Sequence, residues 1–408
     1  MPCFDIPLRG SRTTESTTQP PQARFRRFWR KEGDHRLGRS KCGSAADLTE
    51  WCGHDLDIII APLDGKFADS EKEYETLVEL YDIPPQFVLE RERSVTHSLG
   101  RQLGPDLKTE TLWMHFLSEV PSTDAGSNRQ PEWLKWGFIL TWTPKPATSA
   151  PTRHTVSLIA FDPPVETMQR LVSLLRSPSW TDVTVDPYLL VDIALASWHE
   201  RIDQVAWEVN RMVRADEEDV FRRARMLRSS DTAIVDLDLH RIHTSAKNAI
   251  FMVEALDAAI RSVDLALVNH GLLRGTAPGN DIWENTDRRL RHTCELFHST
   301  KLRTASDQAR IKNTVDLAFH INTVHDSQVN LDNSRSVRII SIVGMVFIPF
   351  GAVCSIFGTQ FFSSADVARH IDLNPDFWML WAIAVPLTLI ILGVWKMVEP
   401  WCRSDHRK

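Results

Sequence analysis

Ile339–Phe362 reads IISIVGMVFIPFGAVCSIFGTQFF, 24 residues without one charged side chain. As a helix, that length crosses a hydrocarbon core of about 30 Å. After Ser363–Asp376, a segment of 14 residues, Phe377–Trp395 (FWMLWAIAVPLTLIILGVW) supplies 19 more, Pro386 included. Either run alone would suit a buried core helix. Two so close together predict a transmembrane hairpin.

The flanks orient it. Arg335 and Arg338 precede the first run, and Lys396, Arg403, Arg407 and Lys408 follow the second. The connecting segment sets Asp366, Asp372 and Asp376 against a lone Arg369. By the positive-inside rule both termini face the cytosol and the loop lies on the far side. Trp378, Trp381, Trp395 and Trp401 fall where indole rings sit among lipid headgroups. The expectation is an integral, multi-pass protein of the plasma membrane rather than an organelle. The N-terminus lacks the apolar core of a secretory signal, and Asp5 and Glu15 interrupt the basic stretch an organelle signal needs.

Upstream the chain reads as soluble, with 25% charged residues overall and a net charge of −6 that gives no pull towards nucleic acid. Six cysteines without a CxxC pair support neither a zinc ribbon nor a disulfide framework. Residues 1–50 lack periodicity and read as a disordered basic tail. Arg24–Lys31 is then a solvated arm, or one that touches anionic lipid. Residues 51–186 read as an α/β cytosolic domain. Its strands are expected at 57–62, 87–89, 112–117, 136–142 and 156–161, with a helix over Ser70–Leu80. Residues 187–280 read as a long helical pair, at 188–227 and 232–270.

A third helical pattern over 281–338 reads as a stalk helix, because Trp283–Arg335 alone would span roughly 80 Å. Leu290, Cys294, Phe297, Ile311, Val315, Ala318 and Val329 share one seven-residue register there, broken by Lys301, Thr304, Gln308, Asn322 and His325. Transmembrane helix 1 follows at 339–362, the outer loop at 363–376, transmembrane helix 2 at 377–398 and a cytosolic tail at 399–408.

Few residues invite catalytic chemistry. The run Asp216-Glu217-Glu218-Asp219 with Arg222, Arg223 and Arg225 reads as a solvated ion-pair face through i,i+4 pairs. His240 and His243 behind Asp236 and Asp238 fall short of a metal site without a third, distant ligand. No GxSxG, HExxH or GxxxxGK motif occurs, and no enzyme is expected.

In the first span, Gly344, Gly351 and Gly358 repeat every seven residues, with Ile348 and Ser355 between them on the same stripe. Such a stripe lets helices approach closely. Its other use is to line a narrow path along a central axis. One hairpin cannot enclose a pore, so conduction would need several copies.

This arrangement resembles the CorA-like divalent-cation transporters (Mg2+/Zn2+), in particular their divergent fungal-type members. The carrying residues are Phe347-Ile348-Pro349 and Ser355-Ile356-Phe357-Gly358-Thr359-Gln360-Phe361-Phe362. Where that family has Gly-Met-Asn, this chain has Gly358-Thr359-Gln360. The resemblance implies a homopentamer with the first spans around one axis and Gln360 amides at an ion-selectivity mouth formed with Gly358 and Thr359. It also implies a transported divalent cation, Mg2+ first among them, and no cofactor. Neutral amide oxygens suit Mg2+, which dehydrates reluctantly and is met through its water shell. Asp366, Asp372 and Asp376 would concentrate cations at that mouth. Asp316, Asp326 and Asp332 are the only candidates offered for cytosolic metal sensing. The alternative is a non-conducting, membrane-anchored interaction or regulatory protein. The partners expected are the bilayer, further copies of the chain and divalent cations.

Overall fold

The computed structural model describes residues 25–34, 36–48, 53–62, 70–93, 95, 97–121, 132–145, 153–228, 237–273, 281–361 and 377–404. The chain divides into two compact units, Met1–Met226 with Asp236–Leu317, and Leu227–Val235 with Ala318–Lys408.

In the first unit, β1 (Phe25–Arg30), β2 (Gly38–Cys42), β3 (Leu56–Ala61), β4 (His97–Leu103), β5 (Glu110–Val120), β6 (Glu132–Pro144) and β7 (His154–Phe161) form one sheet. Its order is β2-β1-β3-β7-β6-β5-β4. Only β3 and β7 pair in parallel; the other neighbours are antiparallel. A parallel pair needs a long crossover. Here it contains α1 (Ser70–Tyr81), α2 (Pro85–Glu92) and the β4–β6 meander.

Successive side chains of a strand point to opposite faces. The cross-strand row Ile58, Leu158, Leu140 and Leu112 joins the core formed with α3 (Val165–Arg176), α4 (Trp180–Val185) and α5 (Tyr188–Arg228). The next row, Ile59, Ile159, Ile139 and Trp113, meets Leu77 of α1 and Phe87 of α2. Helices thus cover both faces of the sheet. Each fully buried large side chain contributes about 1.5–3 kcal/mol.

α6 (Leu239–Leu273) and α7 (Asp281–Phe361) complete the helical side. Asp192 bonds Arg289 at 2.6 Å and Asp307 accepts from Asn210 at 2.7 Å, while Asp203 holds Arg303 and Glu217 holds Arg310. Residue numbers rise together along this ladder, so α5 and α7 run parallel. α6 runs against them, because Asp264 meets Cys294 and the earlier Asp257 meets the later Lys301.

Three sequence expectations need correction. The tail through residue 50 fails from Phe25 onward, because 25–30 and 38–42 are strands. Arg27 is buried there, as its guanidinium chelates Asp57 of β3 at 2.8–3.1 Å; a buried arginine is tolerated only when paired. Burial pushes the Asp57 carboxyl up, against the pull of Arg27. Second, Phe87–Leu89 is helical, since Pro85 opens α2 and only Phe87 is buried. Third, the acidic run of α5 is not wholly solvated. Glu218–Arg222 and Asp219–Arg223 form the expected i,i+4 pairs at 3.5 and 3.3 Å, but Asp216 is 2% exposed and pairs with Arg241 of α6 at 2.8 Å.

In the second unit, the described residues are Leu227 and Arg228 at the end of α5, those of α7 from Ala318, and α8 (Phe377–Ser404). Val353, Leu380 and Ala384 form a small core with Phe350 and Cys354. The rings of Phe350 and Trp381 lie 5.6 Å apart. Both helices contain stretches long and apolar enough to cross a membrane. Ile339, Ile340, Phe347, Trp378, Leu389 and Ile390 are all more than half exposed, a surface that water alone would not favour.

Candidate functional site

α7 carries Thr323, Ser327, Asn330, Ser334, Val337, Ser341, Gly344, Ile348, Gly351, Ser355 and Gly358 at alternating spacings of four and three. A mean step of 3.5 residues keeps them on one slowly drifting face. In a coiled coil these positions would be apolar knobs. Here every position except Val337 and Ile348 is small or neutral and polar.

Four of the seam's hydroxyls are turned to their own helix. Thr323, Ser327, Ser334 and Ser341 each donate to the carbonyl four residues earlier, at 2.7–2.9 Å. With the proton committed, each oxygen offers only lone pairs outward. Such a surface accepts from water and attracts a cation's hydration shell. It offers no negative charge to hold an ion fast.

At Gly351 and Ser355 the seam faces away from α8. Pro349 and Val353 are buried in the hairpin, and Gly351 and Ser355 stand two residues further on, about 200° round the helix. A Cβ added at Gly351 would meet nothing within 4 Å, and one at Gly344 only the Ile348 Cδ1 at 3.8 Å. Among the described residues the glycines serve no close packing inside this chain.

Gly358, Thr359 and Gln360 stand in the last turns of α7, but their side chains lie outside what the structure describes. Asp366, Asp372 and Asp376 lie outside the described residues altogether. Asp316 is exposed, and Asp326 is exposed beside His325 Nδ1 at 3.8 Å. Asp332 belongs to α7, its side chain undescribed. Among the described residues no three His, Cys, Asp or Glu side chains converge as metal ligands. The half of the seam from Thr323 to Ser341 was missed at the level of sequence. Its signal is the serine series Ser327, Ser334, Ser341 and Ser355, spaced by sevens with Ile348 in the gap.

One other concavity stands out in the first unit, a groove of about 590 Å³ between α3 and α5. Arg170–Glu200 and Arg289–Asp192 rim it over Leu174, Ile193 and Ala196. Its two arginines are already matched by acids.

No family model matches the chain. A stretch of 111 residues, 26% of the chain, is 34% identical to Notoamide biosynthesis cluster protein M' of Aspergillus versicolor, and spans 24% of that relative. The match thus covers about a quarter of the relative's length. Among solved structures, the CorA magnesium transporter of Methanocaldococcus jannaschii is 12% identical, with 91% of this chain and 97% of that chain covered and a TM-score of 0.44. The full-length CmaX protein is 10% identical over 94% of this chain and 100% of that one, at 0.45. The ZntB cytoplasmic domain of Vibrio parahaemolyticus is 10% identical over 71% and 97%, at 0.37. At these TM-scores the overlaps fix neither activity nor assembly.

Proposed function

We propose that several copies of this chain assemble with the α7 seams around a shared axis and pass divalent metal cations, Mg2+ first among them, through a membrane. The observation that carries this reading is the seam itself: a file of glycines, hydroxyls and an amide along α7, with Gly351 and Ser355 exposed on the side away from α8. In lipid such a polar file is costly; around a watery axis it is useful. The apolar remainder of α7 and α8 would face lipid, with both termini cytosolic. Five copies is the number implied by the resemblance to CorA-like transporters.

At the outer end, Gln360 amide oxygens would meet the hydrated ion, as neutral acceptors suit Mg2+. Asp366, Asp372 and Asp376 of each copy would raise the local cation concentration there. Passage inward needs no nucleotide, since a divalent ion gains roughly 4.6 kcal/mol per 100 mV, twice the single-charge figure. The test is flux into liposomes under an inside-negative potential. Wild type should admit Mg2+, and Gln360→Ala should abolish the uptake or broaden it to other cations. Should both stay impermeable while the protein inserts, the chain is an anchored interaction or regulatory protein instead.

A further inference from the structure

Strand β2 closes one end of the sheet, and β1 is the strand that pairs with it. Among the described residues the outer backbone groups of β2 have no hydrogen-bond partner. An edge of this kind is a template for a further strand.

One face of this edge is cationic. Directly opposed residues of an antiparallel pair share a face, as do residues two apart along a strand. Arg26 opposes Lys41, and Phe28 opposes Arg39. Arg26, Arg30, Arg39 and Lys41 therefore gather around Phe28, on the sheet face that carries α3 and α4. Arg26 reaches the Met168 Sδ at 3.6 Å. Arg30 lies buried over the Trp180 ring at 5.4 Å, its Nε without a partner. Arg39 and Lys41 are exposed. Among the described residues no carboxylate pairs with any of these cations. Like charges opposed across a ladder are unfavourable, so this face holds a repulsion that an anion would relieve.

On its other face β2 presents Gly38, Ser40 and Cys42, with the Trp29 indole lying across Gly38. Such small side chains leave room for β-branched residues of a neighbouring strand.

We propose that the β2 edge binds an extended acidic peptide segment of a partner protein as an added strand, its carboxylates at alternate positions against Arg39 and Lys41. Residues two apart on any strand are roughly 6.6–6.8 Å apart, so acids at every second position keep step with the two cations. A second copy of the chain suits the edge poorly. Pairing β2 with β2 so that like faces match would set Arg39 and Lys41 against themselves. A nucleic acid would meet the charges but has no peptide backbone to pair with the edge. The inference stands on the first unit alone and does not depend on conduction.

The test titrates the full chain in detergent against a fluorescent peptide of about seven residues that alternates glutamate with threonine, and reads anisotropy. It should bind at least about tenfold more tightly than its counterpart with lysine in place of glutamate. Alternate N–H groups of a strand point to opposite edges. N-methylation of one alternate set should therefore cost at least about tenfold, and of the other set little. Arg39→Gln and Lys41→Gln should each weaken binding about threefold, the scale of an exposed ion pair. Both side chains are exposed, so either variant keeps the test decisive if the other disturbs folding. Lys108→Gln, in the β4–β5 turn, should change nothing. Equal binding of the lysine peptide, equal losses for the two methylated sets, no loss in either variant, or an equal loss in Lys108→Gln would each overturn the site. So would a single-stranded oligonucleotide of matching length that binds as tightly as the acidic peptide.

Discussion

Trp198 donates its indole N–H to His97 Nε2 at 3.1 Å, deep between the sheet and α5. The accepting nitrogen carries no proton, so His97 is neutral in the folded state. Burial alone holds its pKa down to about 3, and burial likewise lowers His115, His154 and His199. All four belong to the first unit.

Unfolding frees these rings to titrate near 6.5, so the unfolded chain binds more protons below that pH. Stability should be fully present above about pH 6.5 and fall steadily as pH drops towards 3. Near-UV circular dichroism of the full chain against pH checks this. A plateau down to pH 4 would contradict it.

Asn210 and Asp307 form a second buried relationship, at 2.7 Å across α5 and α7. Asn210→Leu removes a buried donor and leaves Asp307 with Arg310 at 3.5 Å, and should cost roughly 2 kcal/mol, as losing a hydrogen bond to a charged group does. Asn210→Leu with Asp307→Leu should recover much of that loss, because no charge is left inside. Denaturant unfolding of the two variants measures the difference.

Two glycines are fixed by tryptophans across the strand ladder. Gly100 opposes Trp113 and Gly38 opposes Trp29, and in each a Cβ would overlap the indole. Gly100→Ala should therefore destabilise the first unit by about 1–3 kcal/mol, the usual cost of overpacking. Gly43→Ala, where a Cβ meets nothing within 4 Å, should change little by comparison. Thermal unfolding of the pair decides the point.

A bulky residue in the seam should stop conduction without unfolding the chain. Gly351 has open space around it within one copy, so Gly351→Leu should insert and remain helical. Around a shared axis the added side chains would crowd the path, and flux should fall at least about tenfold, a barrier of about 1.4 kcal/mol. Liposome uptake beside circular dichroism measures both.

The membrane end of the chain was legible because charge is absent over long runs, a signal that needs no tertiary context. The central strands were legible for a similar reason: Ile58–Ile60 and Val156–Phe161 are nearly continuous apolar runs. Strand β1 was hidden because Arg27 and Arg30 are buried, Arg27 against Asp57 and Arg30 over the Trp180 ring at 5.4 Å. The register of α7 was half right. Leu290, Phe297, Ile311 and Ala318 are buried as expected, but the companion series is Thr286, Thr293, Thr300, Asp307 and Thr314, all buried. Threonine reads as polar, yet Thr286 and Thr314 satisfy their hydroxyls on carbonyls four residues back, and Thr300 does so on Asp203. Of the candidate site, the glycines were visible, whereas the hydroxyl half reads as ordinary polar helix surface, its hydroxyls bonded to their own helix.

The most direct test of the central claim is thiol accessibility along α7 in membranes. Ile348, Gly351 and Ser355 are replaced by cysteine one at a time, in a chain whose own cysteines are removed. The account predicts that a water-soluble, membrane-impermeant thiol reagent labels these positions and that oxidation links neighbouring copies through them, while Val353→Cys, facing α8, does neither. Labelling of Val353→Cys with silence along 348, 351 and 355, or a monomer throughout, would contradict it.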